Sequence, residues 1–324
     1  MKKRMSLFCL LVLTTLFCGS IASAADVVRV GNLKFAHYGA VSYMKEIAPK
    51  YNIKIEERMF PKGIDIVPAI IAGEIDVAAS AADGAVAARA AGVPVYVLAG
   101  FARGGARIVG RSDMKWKTVA DLKGKKVGVA RGGAQELVLL AELGKYKLSY
   151  SDKPGKDVQI VYMAYADLNQ ALMARNIDVM CQSEPQSSQS ISKGFGVEII
   201  KPYDTPLGEP VRTLIMTEAM YAKKDVAERF MKCFVEATKH FIDNPAAAEK
   251  YVREKLFKGQ LTSDDYKFAI GNSPFSYDVT VQHIQTTTDL MAKYGIGRMA
   301  KPPVAKEYVK LDLLEKAKKA LKAK

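Results

Sequence analysis

The side chain best suited to hold a ligand is Arg212, in the run PVRTLIMT. A guanidinium fork grips a carboxylate or sulfonate through two parallel hydrogen bonds. Three further groups of residues have the types and spacing to contribute. His37 and Tyr38, in the segment Asn32 to Gly39, can donate hydrogen bonds to an anion or stack on a flat ring. Against that stands the plain reading of a loop histidine with no binding duty. Ser80 and Asp83 follow a short apolar run, where a helix start would offer free N–H groups beside a hydroxyl; the plain reading makes Asp83 an N-cap. The run Arg131, Gly132, Gly133, Ala134, Gln135 lies at a strand-to-helix turn, where glycines admit a ligand to the backbone and the helix N-terminus favours negative charge. Arg103 and Arg107 are weaker anion partners, expected to be solvated, and Phe275 and Tyr277 are read first as core aromatics.

These residues do not compose a catalytic or cofactor motif. The glycine turn lacks the Lys followed by Ser or Thr of a phosphate loop and the three-glycine spacing of a dinucleotide site. His37, His240 and His283 show no metal spacing, and no G-x-S-x-G elbow is present. No cofactor is expected. A fold-related enzyme is nevertheless the main rival from another class, with turnover of a bound ligand as the discriminator.

The elements that position these residues are written twice. IDIVPAIIAGEIDVAASAAD, residues 64 to 83, is repeated in outline by ADLNQALMARNIDVMCQSEP, residues 166 to 185, with Asp65 on Asp167, Ala69 on Ala171 and the triplet Ile75, Asp76, Val77 on Ile177, Asp178, Val179. In each copy apolar residues at three- and four-residue steps predict a helix, and a short apolar run predicts a buried strand. Around them strands and helices alternate, which predicts an α/β protein of two lobes, each a mainly parallel sheet flanked by helices. Residues 25 to 111 with 214 to 324 are assigned to the first lobe and 112 to 213 to the second, with crossings near Gly110 and near Arg212. In such sheets ligands sit outside the carboxyl ends of the strands, which is where the three groups around His37, Ser80 and Gly132 fall.

Composition sets the compartment and the charge. Lys2, Lys3 and Arg4, the apolar run from Leu7 to Phe17 and the small residues Ala22, Ser23 and Ala24 read as an export signal over residues 1 to 24. Phe17 argues against a lipid anchor at Cys18. Removal of this segment lowers the formal charge from +14 to +11, a field that favours anions or, on the plain reading, a solvated basic surface. An exported chain without a recognisable reading module is a poor candidate for nucleic acid. Cys181 and Cys233 remain, and the sequence leaves open whether they pair or stay as buried thiols. With 49% hydrophobic residues the chain can bury a sizeable core.

Four phrases carry a resemblance: AIIAGEIDVAAS, AAGVPVYVLAG, TVADLKGKKVGVARGGAQ and VYMAYADLNQALMARNIDVMCQSEP. Together, in this order, they resemble the periplasmic substrate-binding proteins of ABC importers, in the group of sulfonate, taurine and thiamine-precursor binders. The resemblance implies a type II-like, two-lobed fold that closes on a small molecule by hinge motion and meets a permease with its ATPase as a monomer; periplasmic binding proteins are a standard example of such closure. It implies a small organic anion as ligand, sulfonate or carboxylate and aromatic in some cases, with a pyrimidine or other thiamine precursor as the alternative. A sensory surface protein or a receptor of a tripartite carrier would share the same fold. Two departures bear on the ligand. Glycine stands in the turn where sulfonate binders carry serine, and Ser183 stands where many relatives place an aromatic residue before the acid and proline, here Glu184 and Pro185. Ser183 and Glu184 are expected at the ligand, and Glu184 with His37 and Tyr38 would serve a neutral heterocycle as readily.

Overall fold

The computed structural model describes residues 24–322 apart from residue 202. The export signal predicted over residues 1 to 24 therefore lies outside the described residues except for Ala24. Among the described residues no helix is long and apolar enough to cross a membrane.

Eleven strands are present among the described residues: β1 (Asp26–Leu33), β2 (Ile53–Phe60), β3 (Val77–Ala81), β4 (Val95–Arg103), β5 (Ala106–Arg111), β6 (Lys125–Val129), β7 (Tyr150–Ser151), β8 (Val158–Tyr162), β9 (Val179–Ser183), β10 (Gly196–Ile200) and β11 (Val211–Thr217). They form two sheets, ordered β2-β1-β3-β11-β4 and β10-β5-β9-β6-β8-β7. β1 pairs in parallel with β2 and β3, and β6 does the same with β8 and β9. Each sheet contains one strand that runs against its neighbours, β11 in the first and β5 in the second. Helices lie between β1 and β2, β2 and β3, β6 and β8, and β8 and β9, the arrangement of crossover connections.

The duplicated stretch adopts matching structures. Both helices end in a residue with positive φ, Gly73 at 68° and Arg175 at 62°. The triplet aspartates then do the same job: Asp76 accepts the backbone N–H of Arg29 at 2.9 Å, and Asp178 accepts that of Lys126 at 3.0 Å. Each carboxylate so ties the strand that follows it to a parallel neighbour, β3 to β1 and β9 to β6.

The structure moves both crossings. Ala106 to Arg111 does not close the first lobe, because β5 is a strand of the second sheet, with Ile108 opposite Cys181 on β9. Its residues Ile108 and Val109 are buried there, so hydrophobic burial decides its allegiance. The chain passes over at Gly104 and Gly105. Arg212 likewise stands inside the first sheet, opposite Ala81 on β3, and the return crossing is the segment between β10 and β11.

Beyond β11 the chain is helical, as its periodicity predicts. The helix Lys224–Asp243 buries Phe230, Phe234, Ala237 and Phe241. Each of these phenylalanines contributes on the order of 2 kcal/mol of burial. Cys233 lies on this helix and Cys181 on β9, and both thiols are free and buried.

Candidate functional site

The carboxyl ends of the two sheets face each other, and the residues that meet there enclose a small cavity. From the first sheet come Leu33 at the end of β1, Phe35 and Tyr38 in the following turn, Lys62 and Gly63 after β2, and Ser80, Asp83 and Arg212. Gly133, Ala134, Gln135, Tyr165 and Ser183 close it from the second sheet. Its volume is about 20 Å³. That is room for one water molecule, so an organic ligand requires the two walls to part.

Arg212 is buried, and its Nη2 donates to the carbonyl oxygen of Gly104 at 2.6 Å, while Nε has no protein partner. Its strand explains its place. β11 runs antiparallel to β3, so a residue near its beginning reaches the carboxyl end of its neighbour. Asp83 is buried close by with Oδ1 unpartnered, and burial pushes its carboxyl up to about 6 although the Arg212 cation pulls the other way. Asp83 is not the N-cap of its helix, Ala82–Ala90; Ala81 holds that position, without a side-chain bond. Ser80 is buried with an unpartnered Oγ, and glycines at 63 and 84 make space for it, since a Cβ there would fall 2.2 Å and 2.1 Å from that oxygen.

His37 is fully buried with neither ring nitrogen bonded to protein. Burial, and then the Arg212 charge, hold it well below its ordinary range, so the ring is neutral and offers one donor and one acceptor. Phe35 stacks on it at 5.9 Å, and the same Phe35 meets Tyr165 of the opposite sheet edge-on at 5.6 Å. Five of the buried polar side-chain atoms without a partner thus lie together: both His37 nitrogens, Ser80 Oγ, Asp83 Oδ1 and Arg212 Nε. Buried polar groups are nearly always bonded, so this cluster is the candidate binding site.

The second sheet contributes a prepared wall. Tyr165 donates to Gln135 Oε1 at 2.5 Å, and Gln135 Nε2 donates to the Gly105 carbonyl at 3.3 Å. Ser183 Oγ donates to the same carbonyl at 3.3 Å. Gly133 is the N-cap of the helix Ala134–Lys145, and a Cβ there would fall 2.3 Å from the Tyr165 hydroxyl.

Three of the residues expected in the site are placed elsewhere. Arg131 is exposed at the cleft mouth, 3.3 Å from Asp152 and stacked 3.6 Å over the Tyr162 ring. Gly132, with φ 74°, gives its N–H to Glu136 at 2.5 Å, so that amide is not free for a ligand. Glu184 is fully buried and saturated: it accepts from Arg107 Nε at 2.6 Å, Asn272 Nδ2 at 2.8 Å and both Ser188 donors. Arg107 is accordingly an internal ion-pair partner and not a solvated arginine. Phe275 packs on Phe241 at 5.2 Å, and Tyr277 donates to the Val235 carbonyl at 3.0 Å, both in the first-lobe interior. The ring residues Phe35 and Tyr165 escaped the sequence reading. The signal for Tyr165 was its position at the head of the second copy, in register with Gly63.

Among the described residues no cluster of three or more His, Cys, Asp or Glu is arranged to hold a metal ion. The comparisons with known proteins agree with the geometry. A putative ABC transporter periplasmic binding protein of Brachyspira hyodysenteriae is 25% identical over 92% of each chain. A putative aliphatic sulfonates-binding protein of Escherichia coli is 28% identical over 57% of each chain. The alkanesulfonate-binding protein of Xanthomonas axonopodis pv. citri, solved with MOPS bound, superposes with a TM-score of 0.73 over 90% of this chain and 100% of its own, at 18% identity. That structure shows the shared fold of two facing α/β sheets. Residues 52–248 match the family described as NMT1/THI5 like. The chain belongs to the NMT1/THI5-like family of ABC-transporter periplasmic binding proteins.

Proposed function

We propose that the chain captures a small organic anion outside the cytoplasm, a sulfonate or carboxylate with a flat or compact body, and delivers it as a monomer to an ABC permease and its ATPase. The observation that carries this reading is the group of unsatisfied donors around the buried Arg212 guanidinium. An anion there receives the free Nε–H, the Ser80 hydroxyl and a His37 N–H, and Phe35 and Tyr165 cover its body. The sulfonate-binding relative and fold neighbour are consistent with an anion, and the basic balance of the chain favours its approach.

Binding shifts the equilibrium between open and closed forms only by the ligand's difference in affinity for the two. Contacts from both sheets supply that difference. The crossing at Gly104 and Gly105, both with positive φ, is the pivot at which the sheets part. The reading is tested by thermal unfolding of the mature protein with a panel of sulfonates, carboxylates, pyrimidines and inorganic anions. A native-state ligand raises the unfolding temperature with its saturation. Stabilisation by an organic anion is the expected result; stabilisation by pyrimidines alone would replace the ligand class.

A further inference from the structure

Outside the buried cavity the two lobes enclose a second, larger space. Its volume is about 550 Å³, within the ~300–1,000 Å³ range of organic ligand pockets. Lys62 lines both the inner cavity and this outer one, and an adjoining space of about 370 Å³ shares Arg131 and Tyr162 with the outer cavity and Tyr165 with the inner one.

We propose that this mouth is a separate binding site for an aromatic anion, an aryl carboxylate or aryl sulfonate, held by Arg131, Arg298 and Lys62 against the rings of Tyr150, Tyr162 and Tyr294. The charge of the lining supports it. Glu136 is the sole carboxylate in the wall, and it is spent on the Gly132 amide at 2.5 Å and the Tyr162 hydroxyl at 2.7 Å. Three cations therefore face one internally bonded acid in this wall; Lys62 also has a long, half-exposed contact with Asp65 of the adjoining space at 3.9 Å, which leaves most of its charge unspent. Arg298 has no acidic partner among the described residues, and the Arg131 pair with Asp152 is exposed on both sides, which makes it weak. Arg131 is already stacked 3.6 Å over Tyr162, a guanidinium laid flat on a ring that leaves its edge N–H groups for an oxyanion.

The site also draws on both lobes. Lys62, Ile64 and residues 294 to 298 come from the first-lobe side, and Arg131, Glu136, Tyr150 and Tyr162 from the second. Gly295 and Gly297 hold positive φ of 68° and 77°, so the turn that presents Arg298 depends on glycine. An anion seated here bridges the lobes at the rim as the inner ligand does at the base. It stands beside the inner cavity as an outer capture point for the same chemical class and in this rests on the function proposed above.

The test is calorimetric titration of 2-naphthalenesulfonate into the Arg212→Ala protein, in which the inner site is disabled, so that failure of the outer site and failure of the inner one are read separately. One binding event, weakened by added salt, is expected. Arg298→Asn and Arg131→Gln alter exposed side chains and should each weaken it at least about fivefold, the loss of one charge-assisted contact. The proposal is overturned by absence of binding in the Arg212→Ala protein, or by equal affinity in the doubly substituted Arg131→Gln, Arg298→Asn protein.

Discussion

Arg212 donates to the carbonyl oxygen of Gly104 at 2.6 Å, so the cation at the base of the cleft also holds the peptide where the chain leaves the first sheet. The neighbouring peptide is held from the other side, since Gly105 accepts from Gln135 and Ser183. The remaining groups of the pair are used as well: Gly104 N–H goes to Pro210 and Gly105 N–H to Asn272. In the proposed site, ligand contact and pivot share the Arg212 side chain, with Nε open to the ligand and Nη2 holding Gly104, so occupancy of the cleft would act directly on the angle between the lobes.

The pivot should tolerate no side chain. A Cβ at Gly104 would fall 2.4 Å from the Asn272 carbonyl oxygen, at a φ of 70°. Gly73 has a similar φ of 68° but open space around it. Gly73→Ala is expected to cost about 1 kcal/mol, the left-handed penalty alone, and Gly104→Ala clearly more. Urea unfolding of the two variants side by side measures the difference; equal losses would mean that the contact with Asn272 relaxes freely.

Asp83 should make stability fall as pH rises. Its folded value, about 6, lies above the ordinary 3.8, so the native state binds the proton more tightly than the unfolded chain. The favourable state is fully present below the unfolded value and is lost as pH climbs through about 6. At pH 8 the ionised form costs on the order of 3 kcal/mol. Asp83→Asn is therefore expected to raise the unfolding temperature at pH 8 and leave it unchanged near pH 4. A variant that is destabilised at pH 8 would show that the Arg212–Asp83 attraction outweighs burial.

An anion beside Asp83 raises that carboxyl further, so binding should take up a proton. Near pH 6 to 7, titrations of the ligand in buffers of different ionisation enthalpy should give different apparent heats. Asp83→Asn should abolish the difference. Identical heats in the wild type would place the anion away from Asp83.

Tyr165 should matter for binding and little for folding. Its hydroxyl fixes Gln135 at 2.5 Å, and its ring meets Phe35 from across the cleft. Tyr165→Ala removes a stacking wall and is expected to weaken the ligand by about tenfold or more. Tyr165→Phe, which keeps the ring, should retain most of the affinity. Glu184→Gln should do the opposite, lowering stability by about 3 kcal/mol through the broken buried pair with Arg107 while folded protein binds as before. Loss of affinity without loss of stability at Glu184 would return it to the ligand site.

Much of this fold was legible because the chain states its unit twice. The spacing of Asp76 and Asp178 reports a shared constraint, the tie from the strand after each aspartate to its parallel neighbour. The rule that ligands meet the carboxyl ends of strands pointed to Ser80, Asp83 and Gln135, which line the inner cavity, whereas Arg212 lies at the start of its antiparallel strand and was singled out for its guanidinium and its place near the return crossing. What was not legible depends on partners distant in sequence. β5 looks like the end of the first lobe until the pairing of Ile108 with Cys181 shows which sheet buries it. Glu184 has the appearance of a free acid beside a proline, yet Arg107, Asn272 and Ser188 converge on it from three separate segments. Arg131 sits in the correct turn but faces outward onto Tyr162, a choice made by side-chain packing and not by spacing.

The most direct test of the account is calorimetric affinity for the stabilising organic anion in wild type, Arg212→Lys and Arg212→Ala. Loss of a buried charge-assisted fork should weaken binding by at least about a hundredfold in Arg212→Ala, with incomplete recovery in Arg212→Lys because an ammonium lacks the fork. Affinity for the anion that survives unchanged in Arg212→Ala would contradict the account.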